Sequence, residues 1–349
     1  MGAECTSCGQ ELAGESTEYN DDVYCADCWE NNFSLCEDCD EVVPNDDLEY
    51  VAGRSVAVCS GCTEQYGSCI NCNESYHENN LEEHNGESYC EDCHNNAHDD
   101  EKVIKDYEYK PVPVFSPTPN PSTAEHLYLG IELEIEVVIS ADRNEIAEEV
   151  QRLQGRVYCK KDGSLDKGFE IVSHPATLGY HLSDMRWAEI LAYLREQDCS
   201  SHNTTTCGLH IHINRDYLTI QEQIKLAIFI HTQAKNITKI ARRDSSYAKY
   251  KDGIEKLSDE EKISNGDRYE ALNFQNRSTV EFRMFRGTLN AETFFATLEF
   301  VDSVVEFVKT ASTADLASDI PEAWRKYIGY LSGKDYQYLN AYLTKKELL

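Results

Sequence analysis

Twelve of the fifteen cysteines lie before residue 94, and all twelve fall in Cys-x-x-Cys pairs: Cys5/Cys8, Cys25/Cys28, Cys36/Cys39, Cys59/Cys62, Cys69/Cys72 and Cys90/Cys93. Long gaps (8 to 25, 39 to 59, 72 to 90) alternate with short ones (28 to 36, 62 to 69). The repeating unit is therefore a knuckle, a hairpin-like stretch and a second knuckle, present three times. "VYCADCWENN" and "SYCEDCHNNA" are versions of one text. A Cys-x-x-Cys turn offers two thiolates from one loop, and two such turns complete a tetrahedron around zinc. Three structural Zn²⁺ sites of four cysteines each follow, paired within each repeat. A cross-braced pairing and a disulfide framework stay open as alternatives. His77, His84, His94 and His98 lie nearby, and one of them is able to replace a cysteine.

These repeats, over residues 1 to about 98, resemble LIM-like or zinc-ribbon modules, which implies protein binding. The acidic charge also concentrates here. Arg54 is the one Lys or Arg before Lys102, and the chain carries 63 acids against 32 Lys and Arg, a net charge of -31. Such a field repels phosphate backbones and anionic lipid, so neither nucleic acid nor a membrane is an expected partner. A protein or peptide with a basic surface is. "MGAECTSCGQ" has no basic or apolar region of a signal peptide, and no run of about 18 apolar residues is present, so a soluble, cytoplasmic protein is expected.

Five of the eight prolines fall between Pro111 and Pro121. The spacing predicts a stiff extended linker over 105–124, between zinc repeats at 1–104 and a second domain at 125–349. Four segments of that second domain carry polar side chains on one strand face. "LGIELEIEVV" turns Leu129, Ile131, Leu133 and Ile135 one way and Glu132, Glu134 and Glu136 the other. "GFEIVSHP" contributes Glu170, "CGLHIHINR" His210 and His212, and "STVEFRMF" Glu281 and Arg283. Helical spacing lies between them, at 143–154, about 180–197, about 219–243 and about 290–309. The fold class expected is α+β, an antiparallel sheet with helices on one face. Glutamates at i, i+2 and i+4 sit about 7 Å apart and want a cation. Acids, His-x-His and Glu-x-Arg on separate strands form the pattern of a converging divalent-metal and phosphate site.

"GIELEIE", "KKDGSLDKGFEIVSHP", "CGLHIHIN" and "NRSTVEFRMFRGTLN" occur in the order of the glutamine synthetase-like carboxylate–amine ligases. Over residues 125 to 310 the chain most resembles the amidoligases of phages and bacteria. In glutamine synthetases an Glu-x-Glu strand binds metal, a Gly-x-His-x-His strand adds a metal ligand and a nucleotide contact, and a Glu-x-Arg strand adds one ligand and one phosphate-binding arginine. The resemblance matches these to Glu132 and Glu134, to His210 and His212, and to Glu281 and Arg283, with Glu170 as an acid of the middle hairpin. It implies an ATP-dependent amidoligase working through an acyl phosphate. Glu132, Glu134, Glu170, His210 and Glu281 would hold Mg²⁺ or Mn²⁺. Arg283 would hold the transferring phosphoryl group with Arg286 or Arg268 assisting, and His212 and Arg277 would contact nucleotide or phosphate. A small-molecule acid or amine, or a protein substrate brought by the zinc repeats, would be joined. The competing reading is a non-catalytic zinc-module adaptor with a relic ligase fold. Arg242 and Arg243 read as cations at a helix end. Strict alternation turns Arg286 away from the site unless the strand bulges before it.

Overall fold

The computed structural model describes residues 4–12, 16–51, 56–84, 86–91, 93–94, 102–117, 125–138, 140–243, 245–246, 248–251, 269–316 and 320–349. Arg268 and His98 lie outside the described residues, as does part of the Pro-rich stretch. The chain divides into two units, Met1–Glu101 and Lys102–Leu349.

The first unit is a series of two-stranded antiparallel hairpins: 16–19 with 22–25, 33–35 with 42–44, 48–51 with 56–59, 66–68 with 75–77, and 81–84 with 87–90. In the first, Asn20 and Asp21 take φ of 48° and 69°, the left-handed pair that suits the twist of a two-residue hairpin turn. Its apolar cores are minute. Val51 and Val58 pack with Cys36 and Cys62, and another cluster consists of Cys69, Cys90 and Cys93. Burial on that scale does not offset the ordering entropy of some ninety residues, so something other than apolar packing must hold the hairpins together.

The second unit is built on a seven-stranded sheet. Its strands are β1 (Ile104–Lys105), β2 (Leu129–Ile135), β3 (Val157–Lys160), β4 (Phe169–Ser173), β5 (Gly208–Asn214), β6 (Leu272–Asn273) and β7 (Thr279–Arg286). They lie in the order β1-β3-β4-β2-β5-β7-β6. Every pair is antiparallel except β1 with β3, which is parallel, so the sheet is mixed rather than purely antiparallel. The longer helices are α1 (Arg143–Leu153), α2 (Leu178–Ser183), α3 (Trp187–Glu196), α4 (Ile220–Thr232), α5 (Ala234–Ala241), α6 (Ala291–Thr310), α7 (Ile320–Leu331) and α8 (Gln337–Lys345), with a single turn at Thr313–Leu316. Two stretches of helical spacing are each split. Arg186, at φ 49°, breaks α2 from α3, and Gln233 interrupts α4 and α5. The apolar period runs through both breaks, so periodicity alone merges them. α4 starts where a capping box forms: Thr219 Oγ1 accepts from Glu222 N, and Glu222 Oε2 accepts from Thr219 N.

Alternation fixes which strand face is apolar. Leu129, Ile131, Leu133, Ile135, Leu209, Ile211, Ile213, Val280 and Phe282 are all fully buried. They form one core with Ile146 and Val150 of α1, Trp187 and Leu194 of α3, Phe229 of α4, and Phe294, Phe300 and Val304 of α6. Each such side chain contributes about 2 kcal/mol by leaving water. Part of the Pro-rich stretch is bound to this unit. β1 adds an edge strand, Ser116 N donates to Pro175 O (2.9 Å), and Phe115 packs edge-on against Tyr128. Among the described residues no helix is long and apolar enough to cross a membrane.

Glu299, on the buried side of α6, receives the N–H of Leu339 at 2.7 Å and so ties α8 to the core. Burial pushes its carboxyl up to about 7. A raised folded-state value means that the protonated form is favoured in the fold. Its contribution is full below the unfolded value of about 4.3 and is lost as pH rises through 7. Glu299→Gln should therefore melt higher than wild type at pH 8, by on the order of 1 kcal/mol, and show no gain at pH 4.5. Equal differences at both pH values in thermal melts would refute this account.

Candidate functional site

In the first unit the twelve cysteines fall into three groups, Cys5/Cys8/Cys25/Cys28, Cys36/Cys39/Cys59/Cys62 and Cys69/Cys72/Cys90/Cys93, with all sulfur atoms of a group within 4.8 Å of one another. Cys8 and Cys25 Sγ are 3.9 Å apart, as are Cys39 and Cys59 Sγ. A tetrahedron with zinc–sulfur bonds of about 2.3 Å has corners about 3.8 Å apart, so the thiols already stand where zinc would place them. The backbone joins in. Cys25 N donates to Cys5 Sγ and Cys59 N to Cys36 Sγ, each at 3.3 Å. The Cys25 amide, with that of Cys8, draws the Cys5 thiol down to about 6. Burial opposes the same shift at Cys36, yet the Cys59 and Cys39 amides still bring it to about 6. The grouping is sequential because each hairpin returns the chain to its own first knuckle. His94 is bonded to Glu82 at 2.9 Å and stands outside the three groups.

In the second unit, strand register brings the polar residues together. Glu132 of β2 lies opposite His210 of β5 on one side and Val172 of β4 on the other. Glu134 pairs with Glu170, which in turn faces Lys160 of β3. His212 pairs with Glu281 of β7, which faces Asn273 of β6. The side chains converge. Glu132 carboxylate oxygens lie 3.6 Å from His210 Nδ1 and 3.3 Å from His212 Nε2. Glu281 Oε1 is 3.6 Å from His210 Nδ1 and 3.9 Å from His212 Nε2. Two sets of potential ligand atoms each lie within 4.8 Å: Glu132/His212/Glu281 and Glu132/Glu170/His210. Glu132 belongs to both.

Glu134 is buried beside them but belongs to neither set. Its Oε2 accepts from Gly208 N and its Oε1 is 4.0 Å from His210 Nε2. Glu136 serves the loop instead, accepting from Asp166 N (2.9 Å) and Lys167 N (3.0 Å). His212 stands among the metal-type ligands, its Nδ1 held by Thr279 Oγ1 at 3.2 Å. Arg277 is exposed in the β6–β7 hairpin, away from these sets.

Charge is crowded on this face. Burial works against the Glu132 carboxylate, but the charge on His212 and bonding from both histidines hold it well below the usual range. Burial, then repulsion from Glu132, raises Glu170 well above it, although Lys160 Nζ stands 3.5 Å away. Burial also opposes charge on His212, yet Glu132 and Glu281 push it up to about 9. A protonated histidine balancing carboxylates is the arrangement that a divalent cation would replace. Arg283 Nε and Arg243 Nη1 are buried with no hydrogen-bond partner, and His212 Nε2 is buried with only the Glu132 and Glu281 carboxylates near it.

Three arginines border the acids. Arg283 Nη1 bonds to Glu281 Oε1, whose other oxygen takes Asn273 Nδ2 at 2.9 Å. Arg286 joins the same face through a β-bulge. Opposite β5 the register jumps, with Leu209 facing Phe285 but Ile211 facing Phe282. The extra residue resets alternation, so Phe285 stays in the core and Arg286 turns with Arg283. Arg243 comes from the end of α5, where Arg242 at φ 60° turns the chain. Its guanidinium lies over Gly208, and Glu134, Arg283 and Arg286 all act on its charge. Residue type alone reads Arg243 as a helix-end cation. The signal for its place is the glycine before the His-x-His strand.

A Cβ on Gly208 would sit 2.5 Å from Arg243 Nη1 and 2.8 Å from His210 Nε2. Both are ends of flexible side chains, so the fold can yield where the site cannot. Gly208→Ala should keep a cooperative melt near that of wild type while losing at least tenfold in whatever reaction or metal binding this face supports. No loss in either would show that the two side chains need not be where they are.

No curated protein matches the chain. Among solved structures, a chain from "Crystal structure of the complex between Prokaryotic Ubiquitin-like Protein Pup and its Ligase PafA" is similar at 9% identity with a TM-score of 0.34, over 64% of this chain and 62% of that one. A family model described as "Putative amidoligase enzyme" matches residues 221–305, a stretch that contains Arg243, Glu281, Arg283 and Arg286 but not Glu132, Glu170, His210 or His212. Over α4 to α6, therefore, the chain is similar to that amidoligase family.

Proposed function

We propose that the second unit is an ATP-dependent carboxylate–amine ligase with the glutamine synthetase-like catalytic fold. The observation that carries this reading is the pair of ligand sets sharing Glu132, bordered on the same sheet face by three arginines. The family similarity over residues 221–305 agrees with it. Oxygen-rich ligands with two histidines suit Mg²⁺ or Mn²⁺. Ligand atoms 3.3–3.9 Å apart, with His212 Nε2 buried between the Glu132 and Glu281 carboxylates, are what such an ion would draw together. Glu132, His212 and Glu281 would hold one ion, and Glu132, Glu170 and His210 another. Bound there, the ions would neutralise charge on the phosphates of ATP.

The chain's own groups supply the rest. Arg283 keeps its Nε free of protein partners while Glu281 and Asn273 hold the strand end rigid, so its planar fork can close on a phosphoryl group. Arg243 and Arg286 add charge beside it. The acid substrate's carboxylate oxygen takes the γ-phosphoryl group as ADP leaves. The amine nitrogen then attacks the acyl carbon, phosphate leaves, and the nitrogen's proton passes to solvent or a carboxylate of the face. Fixed cations aimed at the growing negative charge are the main source of acceleration in such transfers.

The zinc repeats, acidic and module-like, would bring a protein or peptide with a basic surface to this site. Mass spectrometry of cells expressing wild type or Glu281→Gln should show an amide or isopeptide product with wild type alone. If purified wild type neither binds ATP with Mg²⁺ nor yields such a product, the ligase reading fails and the adaptor reading takes its place.

A further inference from the structure

A cavity of about 400 Å³ opens on the second unit at the start of α6, and none of the acids of the candidate site lines it. Its charged lining is Arg195 of α3, Arg242 after α5, and Lys345 and Lys346 at the end of α8, with no carboxylate. The unit that holds the cavity carries 37 acids against 31 Lys and Arg, yet the cavity draws four cations from three elements without one acid. Among the described residues none of the four forms an ion pair.

Arg242 is held in place, whereas Arg195 and Lys345 reach the rim as exposed side chains. Arg242 adopts φ 60°, which sends its guanidinium to the cavity while Arg243 goes to the ligase face. Arg242 Nη2 donates to Arg286 O at 2.8 Å and Nη1 to Gly287 O at 3.5 Å. Carbonyls orient a guanidinium but do not cancel its charge. Tyr342, also on the wall, has a buried hydroxyl without a partner. Lys346 lies 5.3 Å from the Tyr342 ring centroid. Burial, then the charges of Arg242, Arg286 and Lys346, keep the rim residue His202 below its ordinary pKa, which reports positive potential. Unpaired cations gathered around one cavity repel one another, and burial costs Arg242 part of its hydration, a cost that a bound anion would reverse.

We infer that this cavity is a second anion site, taking a small molecule that carries two or more phosphate or carboxylate groups. Its volume falls within the range of small-molecule pockets and exceeds one phosphate. Two guanidiniums and two ammoniums match several anionic groups at once. The chain's overall negative field works against casual anion binding, so affinity has to come from these side chains. The site shares a wall with the ligase face: Ser201 lines the cavity and donates its hydroxyl to Glu134 O at 2.7 Å. The inference stands apart from the ligase reading, since it needs neither metal nor turnover.

Calorimetric titration tests it, with the full chain in 150 mM salt, no added Mg²⁺, and pyrophosphate or citrate as the probe. Wild type should bind one equivalent of at least one probe. Pyrophosphate alone would assign phosphate chemistry, citrate alone carboxylate, and both would assign charge as the criterion. Arg195→Gln/Lys345→Gln/Lys346→Gln should weaken binding at least tenfold. Lys235→Gln/Lys239→Gln/Arg325→Gln, an equal charge change on exposed sites elsewhere, and Arg283→Ala should stay within twofold of wild type. No binding of either probe, full binding by the cavity variant, or loss in the Arg283 variant would overturn the assignment.

Discussion

Purified protein will carry three zinc ions per chain, one for each group of four thiols, and chelation will unfold residues 1–101 while leaving 102–349 folded. The reason is the size of the apolar clusters. Two valines with two cysteines, three cysteines with a few flanking side chains, or the four rings of Tyr19, Tyr24, Trp29 and Phe33 bury too little surface to order hairpins of three or four residues per strand. Metal ligation supplies on the order of 10 kcal/mol per site, which makes it the folding energy of each repeat. The second unit has no such dependence, because its core runs through the sheet and all its long helices. Metal analysis gives the stoichiometry. Limited proteolysis with and without chelator should release a resistant fragment beginning near Lys102 after metal removal. A metal-free protein that resists protease at both units, yet loses the first on reduction, would show a disulfide framework in place of zinc.

On the ligase reading proposed above, Arg283→Lys will keep the fold and lose at least a hundredfold in turnover. Lysine retains the charge beside Glu281, which is buried and also held by Asn273, so no carboxylate is stranded. What lysine lacks is the planar fork whose Nε is now unpartnered. Removing one preorganised donor to a developing anion costs about 10²–10³ in rate. Glu281→Gln should do at least as much damage by another route. It takes away a ligand oxygen that lies 3.6 Å from His210 Nδ1 and 3.9 Å from His212 Nε2, so the apparent metal requirement should rise together with the loss of rate. Thermal melts, Mg²⁺ titrations and ATP turnover separate the two. A fully active lysine variant would remove Arg283 from the phosphoryl-binding role.

Much of the site can be read from parity along single strands. Glu132 and Glu134 share a face because side chains alternate with a period of two, and the same rule sets His210 with His212. Alternation does not say that Glu136 will leave the group to bind the amides of Asp166 and Lys167, since those come from a loop thirty residues on. It also does not rank Glu134 against Glu170. The first is taken up by the Gly208 amide and the second stands with Glu132 and His210.

Arg286 and Arg243 show where local reading stops. The bulge in β7 that turns Arg286 onto the polar face exists only in the pairing with β5. Arg243 reaches that face because a left-handed residue ends α5 and because Gly208, far away in sequence, leaves room for a guanidinium. The zinc repeats are the opposite case. Each pair of knuckles flanks one long gap, so spacing expects a sequential grouping while leaving a cross-braced one open, and the sulfur positions display the sequential one.

By itself, then, the sequence determined the knuckles, the apolar and polar faces of each strand, and the residue types that crowd one of those faces. These depend on bond geometry and on neighbours one to four residues away. Tertiary structure decided which acids meet which histidines, which arginines join them, and that four cations from three helix ends line a separate cavity. Those outcomes rest on register, on one bulge and on helix termini, all of which are set by hydrogen bonds and packing between segments distant in the chain.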